Sequence, residues 1–538
     1  MRIAIIGAGV AGLATAKVLT QAGHDVVVFD KTPDVGGVWS RTRRYPGLTT
    51  QSPRAQYSLS DYPMPADYPE WPSGEQIQAY LAGYAAHFGL DRLLRLETEV
   101  VSATPSDGGG WSLESRDGAG AIASDAFDRL VVANGVFCEP LIPAFPGREE
   151  FAAAGGALLA GTELHDAERA RGRHVLVVGY GKSACDVTVP VSRVAASTDV
   201  IARQLLWKVP RKINGKLNFK MLLLTRMGEA LFRYRVLRGV EKFLHGPGAG
   251  VRGKMINSIG TVSVKQFGLD KLDLVPAGQM EDIVRGAIGL ATEGFFEGVA
   301  SGAITVHRDR TISRLYASGG RPYAELSDGT ALPADLVVCS TGFTQGVPFL
   351  PADVERRLLD ERGNFLLYRQ IRPVDVPGLY FNGYNSSFFS PLNAEMAAVW
   401  IAADLAGAVP LPDAAAMRQA VTDQLAFMDD AVSGHHCRGT KIIPFSMHNV
   451  DEVLGDLDLN ISAGVRASHW LNPINPAAYR RVTPALLKRL AAGTPAGRPT
   501  PGDVPSDAAA AAPPGPALPP LDAREPAGTE ASQLLSLA

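Results

Sequence analysis

A chain of 538 residues and 57.1 kDa is too long for one compact core and calls for two or three domains. Its 52 Lys and Arg against 55 Asp and Glu leave a net charge of −3, which argues against a general nucleic-acid binder. With 46% hydrophobic and 20% charged residues the bulk is globular, no C-x-x-C pair is present, and no apolar run reaches the ~20 residues of a spanning helix. A disulfide framework, a dithiol redox centre and a membrane span are therefore not expected, and the expected setting is cytoplasmic.

Residues 3–6 form a continuous apolar run and are expected to be a buried strand, followed by a helix over 13–22 and a second strand over 26–29. Between strand and helix stands Gly7-Ala8-Gly9-Val10-Ala11-Gly12, a G-x-G-x-x-G turn in the context a dinucleotide site requires. Gly7 allows the tight turn, Gly9 lets backbone approach a pyrophosphate, and Gly12 lets helix and strand pack closely. Asp30 ends the second strand where a carboxylate can accept from an adenosine ribose, with Lys31 beside it as a further binding candidate. Residues 40–75 are rich in Pro, Tyr and Ser and read as an irregular, ligand-facing stretch; 74–88 has helical spacing; 130–133 is another buried strand.

A second unit opens at His174, with a strand over 175–178 and the turn Gly179-Tyr180-Gly181-Lys182-Ser183-Ala184. Ala184 takes the third small position of the fingerprint. The next strand runs into Arg203 instead of a carboxylate. That guanidinium either pairs with the 2′-phosphate of NADPH or simply begins the basic run that follows. Over 203–254 there are thirteen Lys and Arg against Glu229 and Glu241 alone, a local charge of +11 that leaves −14 for the rest. Its apolar residues interleave with Arg226, Arg233, Arg235 and Arg238. The segment is either a packed insertion with a solvated basic face or, through 217–244, a peripheral membrane contact. Further on, 304–335 alternates around Gly-Gly and Asp-Gly turns, 336–339 and 379–381 are buried strands, and 395–405 is a helix. Ten prolines and an alanine run make 493–538 a disordered tail by composition.

Two nucleotide units on one chain imply two nucleotide cofactors, and a flavin with a nicotinamide is the pair that can exchange hydride. Without a dithiol to take the electrons, O2 is the expected acceptor.

Further motifs make the chain resemble the class B flavoprotein monooxygenases, the flavin-containing and Baeyer–Villiger monooxygenases, over roughly residues 1–405. These are Gly36-Gly37-Val38-Trp39, Ser60-Asp61-Tyr62-Pro63, Thr98-Glu99-Val100, Ala133-Asn134-Gly135 after Asp128, Ser340-Thr341-Gly342-Phe343 after Asp335, and Asn393-Ala394-Glu395. Gly161 and His165 match part of the family's inter-domain signature, while Leu159 and Arg169 depart from it. The mismatch at Arg169 weakens the Baeyer–Villiger subclass, and His165 is expected to orient the domain linker. Gln51 occupies the position of an active-site Asn or Asp in the family; as an amide it is closer to the Asn, or it merely ties down its loop.

The resemblance implies an α/β fold with two Rossmann-like domains. FAD would bind to 1–155 and 333–492, and NADPH to 156–332 with the basic insertion 203–254. It also implies a monooxygenase that forms a flavin C4a-(hydro)peroxide and oxygenates a small molecule at nitrogen or sulfur, as in N,N-dimethylaniline monooxygenase activity. Baeyer–Villiger oxidation of a ketone and uncoupled NADPH oxidation are the alternatives. Gln51 is the catalytic candidate. Gly7, Gly9, Gly12, Asp30, Lys31, Gly37, Val38, Trp39, Val100, Asn134, Gly135, Thr341, Gly342 and Asn393 would serve FAD. Gly179, Gly181, Lys182, Ser183 and Arg203 would serve NADPH. No metal is expected.

Overall fold

The computed structural model describes residues 1–280, 289–385, 387–432 and 446–493. Cys437 and all of the expected tail beyond Gly493 lie outside the described residues. Two parallel five-stranded sheets organise the molecule. In chain order the strands are β1 (Arg2–Ile6), β2 (Asp25–Phe29), β3 (Leu94–Arg95), β4 (Arg129–Val132), β5 (Ala157–Ala160), β6 (His174–Val178), β7 (Ser197–Ala202), β8 (Thr305–Arg308), β9 (Leu336–Cys339) and β10 (Leu379–Phe381). The first sheet has the order β10-β4-β1-β2-β3 and the second β8-β7-β6-β9-β5. Ile3, Ala4 and Ile5 in β1, and Val175, Leu176 and Val177 in β6, are wholly buried. Both faces of each central strand are covered, so the strands appear as unbroken apolar runs and not as alternation.

The two units share a plan. Each fingerprint strand sits at the sheet centre and leads through a glycine turn into a helix, α1 (Val10–Gln21) or α2 (Lys182–Ser192). Each unit then carries a three-stranded antiparallel meander, over 98–127 in the first and 312–333 in the second. Each meander feeds a strand that pairs with the fingerprint strand, β4 with β1 and β9 with β6.

That pairing corrects the expected boundary at 332/333. β9 belongs to the second sheet, between β6 and β5, and Asp335 ahead of it accepts the His174 N–H at 2.8 Å. The chain re-enters the first unit only after Cys339. There Phe343 and Thr344 pair antiparallel with Glu139 and Pro140, so the outgoing and returning linkers lie side by side.

The basic segment is a packed insertion between β7 and β8. The expected end at 254 falls inside a longer helix, α3 (Ala249–Phe267). Arg226 is buried and binds Asp451 with two bonds of 2.7 and 2.8 Å. Arg235 reaches Glu452 at 3.3 Å, and Lys220 reaches Glu70 at 2.7 Å. The segment's two carboxylates, Glu229 and Glu241, are both buried and face the two ring nitrogens of His448 at 3.2 and 2.8 Å. Tyr234 stacks on that ring at 4.1 Å. Among the described residues no helix is long and apolar enough to cross a membrane.

A buried cation joins α1 to α4 (Ser390–Leu405). Lys17 is 1% exposed and donates to Asp61 and, at 3.4 Å, to Glu395. Glu395 is equally buried and accepts the Ser60 N–H and Oγ–H, both at 2.9 Å. Burial pushes the Glu395 carboxyl up, and Lys17 pulls it back. Glu395→Ala would leave the buried ammonium to Asp61 alone and both Ser60 donors unpaired, and should lower unfolding stability by about 2–4 kcal/mol in urea titration, whereas Glu395→Gln, which keeps an acceptor for Ser60, should cost less.

Burial opposes the charge on His448, but Glu229 and Glu241 outweigh it and hold the ring up at about 10. A raised folded-state value stabilises below the ordinary His value near 6.5 and is lost as pH rises toward 10. The Tm difference between wild type and His448→Gln should therefore be largest below pH 6.5 and shrink as the pH is raised from 6.5 to 10.

Candidate functional site

The first glycine turn is closed by backbone contact. Gly7 has φ +112°, and a side-chain carbon there would stand 2.3 Å from the Ala133 carbonyl oxygen; one on Gly12 would stand 1.8 Å from that of Gly7. Gly9 caps α1 without a side-chain bond, and no acidic residue sits in the first turn. The leading N–H groups and the positive end of the helix dipole thus face a space suited to an anion. Gly37, in the turn carrying Val38 and Trp39, closes on Gly9: a side-chain carbon would meet the Gly9 Cα at 3.2 Å. Trp39 is buried edge-on against Tyr57 at 5.7 Å.

Asp30 splints this turn. One carboxylate oxygen accepts the Ala8 N–H at 2.6 Å, and the other accepts the Thr32 N–H and hydroxyl at 2.8 and 2.7 Å. Lys31 is exposed and lies 3.4 Å from Glu139. Val100 is buried beside an irregularity in the meander. Asn134, just past β4, donates to the Gly346 carbonyl at 2.9 Å and accepts from the Tyr384 hydroxyl at 2.8 Å; Gly135 follows in a positive-φ turn. Asn393 in the first turn of α4 donates to Ser387 Oγ at 3.1 Å and the Phe389 carbonyl at 3.2 Å.

The second turn repeats the first. Gly179 has φ +121°, and a side-chain carbon would lie 2.6 Å from the Ser340 carbonyl oxygen. Gly181 caps α2 without a side-chain bond and has open space around it. Ser183 accepts from the Tyr45 hydroxyl at 2.9 Å. Arg203 is exposed directly beyond β7, the strand paired with β6. The Lys182 side chain is ion-paired at 2.5 Å to buried Asp186, which also accepts from Thr292 at 2.5 Å, so only its backbone N–H at the start of α2 remains turned to the opening. Burial raises the Asp186 carboxyl and Lys182 counters it. Thr341 donates its hydroxyl to the Leu141 carbonyl, and Gly342, at φ +102°, pairs with Leu141 in the double linker.

Gln51 lies where the two units meet. Its Oε1 accepts the Leu290 N–H at 3.2 Å, and the neighbouring Ser52 hydroxyl donates to the Phe388 carbonyl at 2.6 Å. The loop ahead of it rests on α2, since a side-chain carbon on Gly47 would come within 2.4 Å of the Asp186 carbonyl oxygen. His165 is exposed, 3.2 Å from the Arg44 carbonyl, so it touches that loop.

Two cations at this junction were hidden in the basic run. Lys208 is buried and donates to the Tyr180 carbonyl at 2.6 Å; Arg211 donates to Thr49 Oγ1 at 2.8 Å and lies over the Trp71 ring at 5.1 Å. Only three-dimensional pairing distinguishes them from the surface cations around them. An apolar pocket, lined by Val209, Leu223, Phe232, Ile256, Ile259 and Phe388, adjoins the loop. Val209 pairs with Leu290, which holds Gln51, and Phe388 accepts from Ser52. A separate polar cavity of ≈ 220 Å³ lies between the 41–49 loop, Ser73 and His165. Among the described residues no group of three or more His, Cys, Asp or Glu is placed to hold a metal.

Residues 1–244 match the family described as flavin-binding monooxygenase-like. The chain is 33% identical over 235 residues to dimethylaniline monooxygenase (N-oxide-forming) 4 of Mus musculus, a match spanning 41% of either chain and so about two fifths of the relative's length. Its fold resembles S-allyl-L-cysteine S-oxygenase from Allium sativum, with a TM-score of 0.58 at 20% identity over 91% of this chain and 97% of the other. It also resembles cyclohexanone monooxygenase from Rhodococcus sp. Phi1, solved bound to NADP+, with a TM-score of 0.61 at 19% identity over 87% of this chain and 98% of the other.

The two glycines of the second turn should separate experimentally. Gly179→Ala, strained and blocked by Ser340, should lower Tm by several degrees, at a cost of about 1–3 kcal/mol, whereas Gly181→Ala should leave Tm within about 1 °C of wild type in differential scanning calorimetry.

Proposed function

We propose that this chain is a class B flavoprotein monooxygenase that binds FAD on the turn at residues 7–12 and NADPH on the turn at 179–184, and inserts one atom of O2 into a small organic substrate at nitrogen or sulfur. The observation that supports this most directly is the pair of uncapped helix N-termini, each behind a glycine turn that a side chain would block, on two sheets of matching order. The residues fit the two cofactors: both first turns lack carboxylates, and the strand after each turn is followed directly by Asp30 in one unit and by Arg203 in the other. FAD and NADPH, when bound, supply the hydride exchange and the activation of O2.

The chain's own groups then bind, orient and shield. The N–H groups ahead of α1 and α2 hold the pyrophosphates. Asp30, fixed by Ala8 and Thr32, keeps lone pairs for the adenosine ribose of FAD. Arg203 pairs with the 2′-phosphate that distinguishes NADPH. Trp39, Thr341 and Asn393 border the flavin space. Because Leu290 holds the Gln51 carbonyl, the Gln51 amide N–H2 is the donor left for the reacting oxygen. The apolar pocket beside it receives the substrate and keeps water away.

Baeyer–Villiger oxidation of a ketone is the second reading. Arg211 favours it, because its contact with Thr49 brings a guanidinium two residues from Gln51.

NADPH oxidation by the FAD-loaded protein across amines, sulfides and ketones, with product masses read for one added oxygen, tests the assignment. N- or S-oxides are expected; esters from ketones would favour the second reading, and conversion of all NADPH to hydrogen peroxide would overturn oxygenation. Gln51→Ala should lower oxygenation kcat by roughly 10²-fold, the scale of losing one preorganised donor, and raise peroxide release per NADPH.

A further inference from the structure

Burial of Glu229 and Glu241 leaves the surface of residues 203–260 without an exposed carboxylate. What faces outward from it is cationic and apolar. Lys216, Arg233, Arg238, Lys242 and Lys254 are exposed. Among the described residues, seven of the eleven exposed large hydrophobic side chains fall between Leu217 and Met255.

The densest part has defined geometry. Val240 and Phe243 lie three apart on the short helix Val240–Leu244. Val251 and Met255 lie four apart on one face of α3, a face that is exposed in its first two turns and becomes buried one turn on at Ile259. Phe243 packs at the start of α3, since a side-chain carbon on Gly248 would stand 2.6 Å from its ring. Phe243 and Val251 are 54% and 57% exposed, with Lys242 and Lys254 alongside. Single exposed apolar side chains are ordinary, but a cluster of them rimmed by charge marks an interaction surface.

We propose that this face, from Leu217 to Met255, docks the protein on an anionic phospholipid surface. The lysines and arginines attract the headgroups, and Val240, Phe243, Val251 and Met255 enter the boundary between headgroup and acyl chain. A nucleic acid or an acidic protein segment would match the charge but not the exposed aliphatic and aromatic side chains. The face differs from the 217–244 stretch expected from sequence. Arg226 and Arg235 turn inward to Asp451 and Glu452, and Val251 and Met255 extend it onto α3.

Co-sedimentation of the full chain with vesicles tests this. Wild type should pellet with vesicles of phosphatidylcholine and phosphatidylserine in equal parts, stay in solution with phosphatidylcholine alone, and release in high salt. Lys242→Glu with Lys254→Glu should weaken binding at least tenfold, and so should Phe243→Ser with Val251→Ser. All four positions are exposed and outside the cofactor and substrate machinery, so NADPH oxidation should be unchanged in both variants, with Tm unchanged in the charge-reversed one and lowered by no more than a few degrees where the Phe243 ring is lost from the start of α3. Absence of wild-type binding overturns the proposal. So does full binding by Phe243→Ser/Val251→Ser alongside loss in the charge-reversed variant, which would mark an anionic partner held by charge alone.

Discussion

Lys17 is the constraint on which the architecture of the first unit rests. Its ammonium is buried within the α1–α4 packing, where an unpaired charge would be untenable, so Asp61 and Glu395 must come to it. Asp61 and Ser60 belong to an otherwise irregular loop, and Glu395 lies on a helix 378 residues away. One buried cation therefore fixes the fingerprint helix, the 58–62 loop and the helix bearing Asn393 relative to one another. The Ser-Asp-Tyr-Pro motif has its physical explanation here: Ser60 satisfies Glu395, and Asp61 satisfies Lys17.

The second unit is held against the first by a different means. Polar contacts at the junction come from the 45–51 loop on one side and, on the other, from the first turn of α2 and from both ends of the insertion: Tyr45 to Ser183, Arg211 to Thr49, Leu290 to Gln51. The groups that would meet both cofactors are thus supported from two independent sheets. Buried Lys208 and the Lys182–Asp186 pair stiffen the second side, because a charge kept from water holds its partner's geometry.

Much of the scaffold was legible in the residues. Strands such as β1, β6, β9 and β10 are buried on both faces, which leaves unbroken apolar runs, and both glycine turns are specified by local sterics at Gly7, Gly12 and Gly179. What could not be read depends on which distant elements meet. β9 looks like any buried strand, so nothing local says that it joins β6 and not β1. Lys182 follows a fingerprint as a phosphate ligand would, and its partner Asp186 is one helical turn on, yet only burial makes that pair dominant. Arg211, Arg226 and Lys208 are indistinguishable in sequence from Lys242 and Lys254, although the first three face inward and the last two face solvent.

The side-by-side linkers carry a topological consequence. The chain leaves the first unit and comes back to it through two strands bonded to each other, Phe343–Thr344 against residues 139–140. The second unit is therefore a cassette with one doorway. Its covalent attachment defines a single axis, whereas two separated tethers would pin it against rotation. Any turn of the second unit about that doorway would have to release Tyr45 from Ser183, Arg211 from Thr49 and Leu290 from Gln51, while both five-stranded sheets could stay intact.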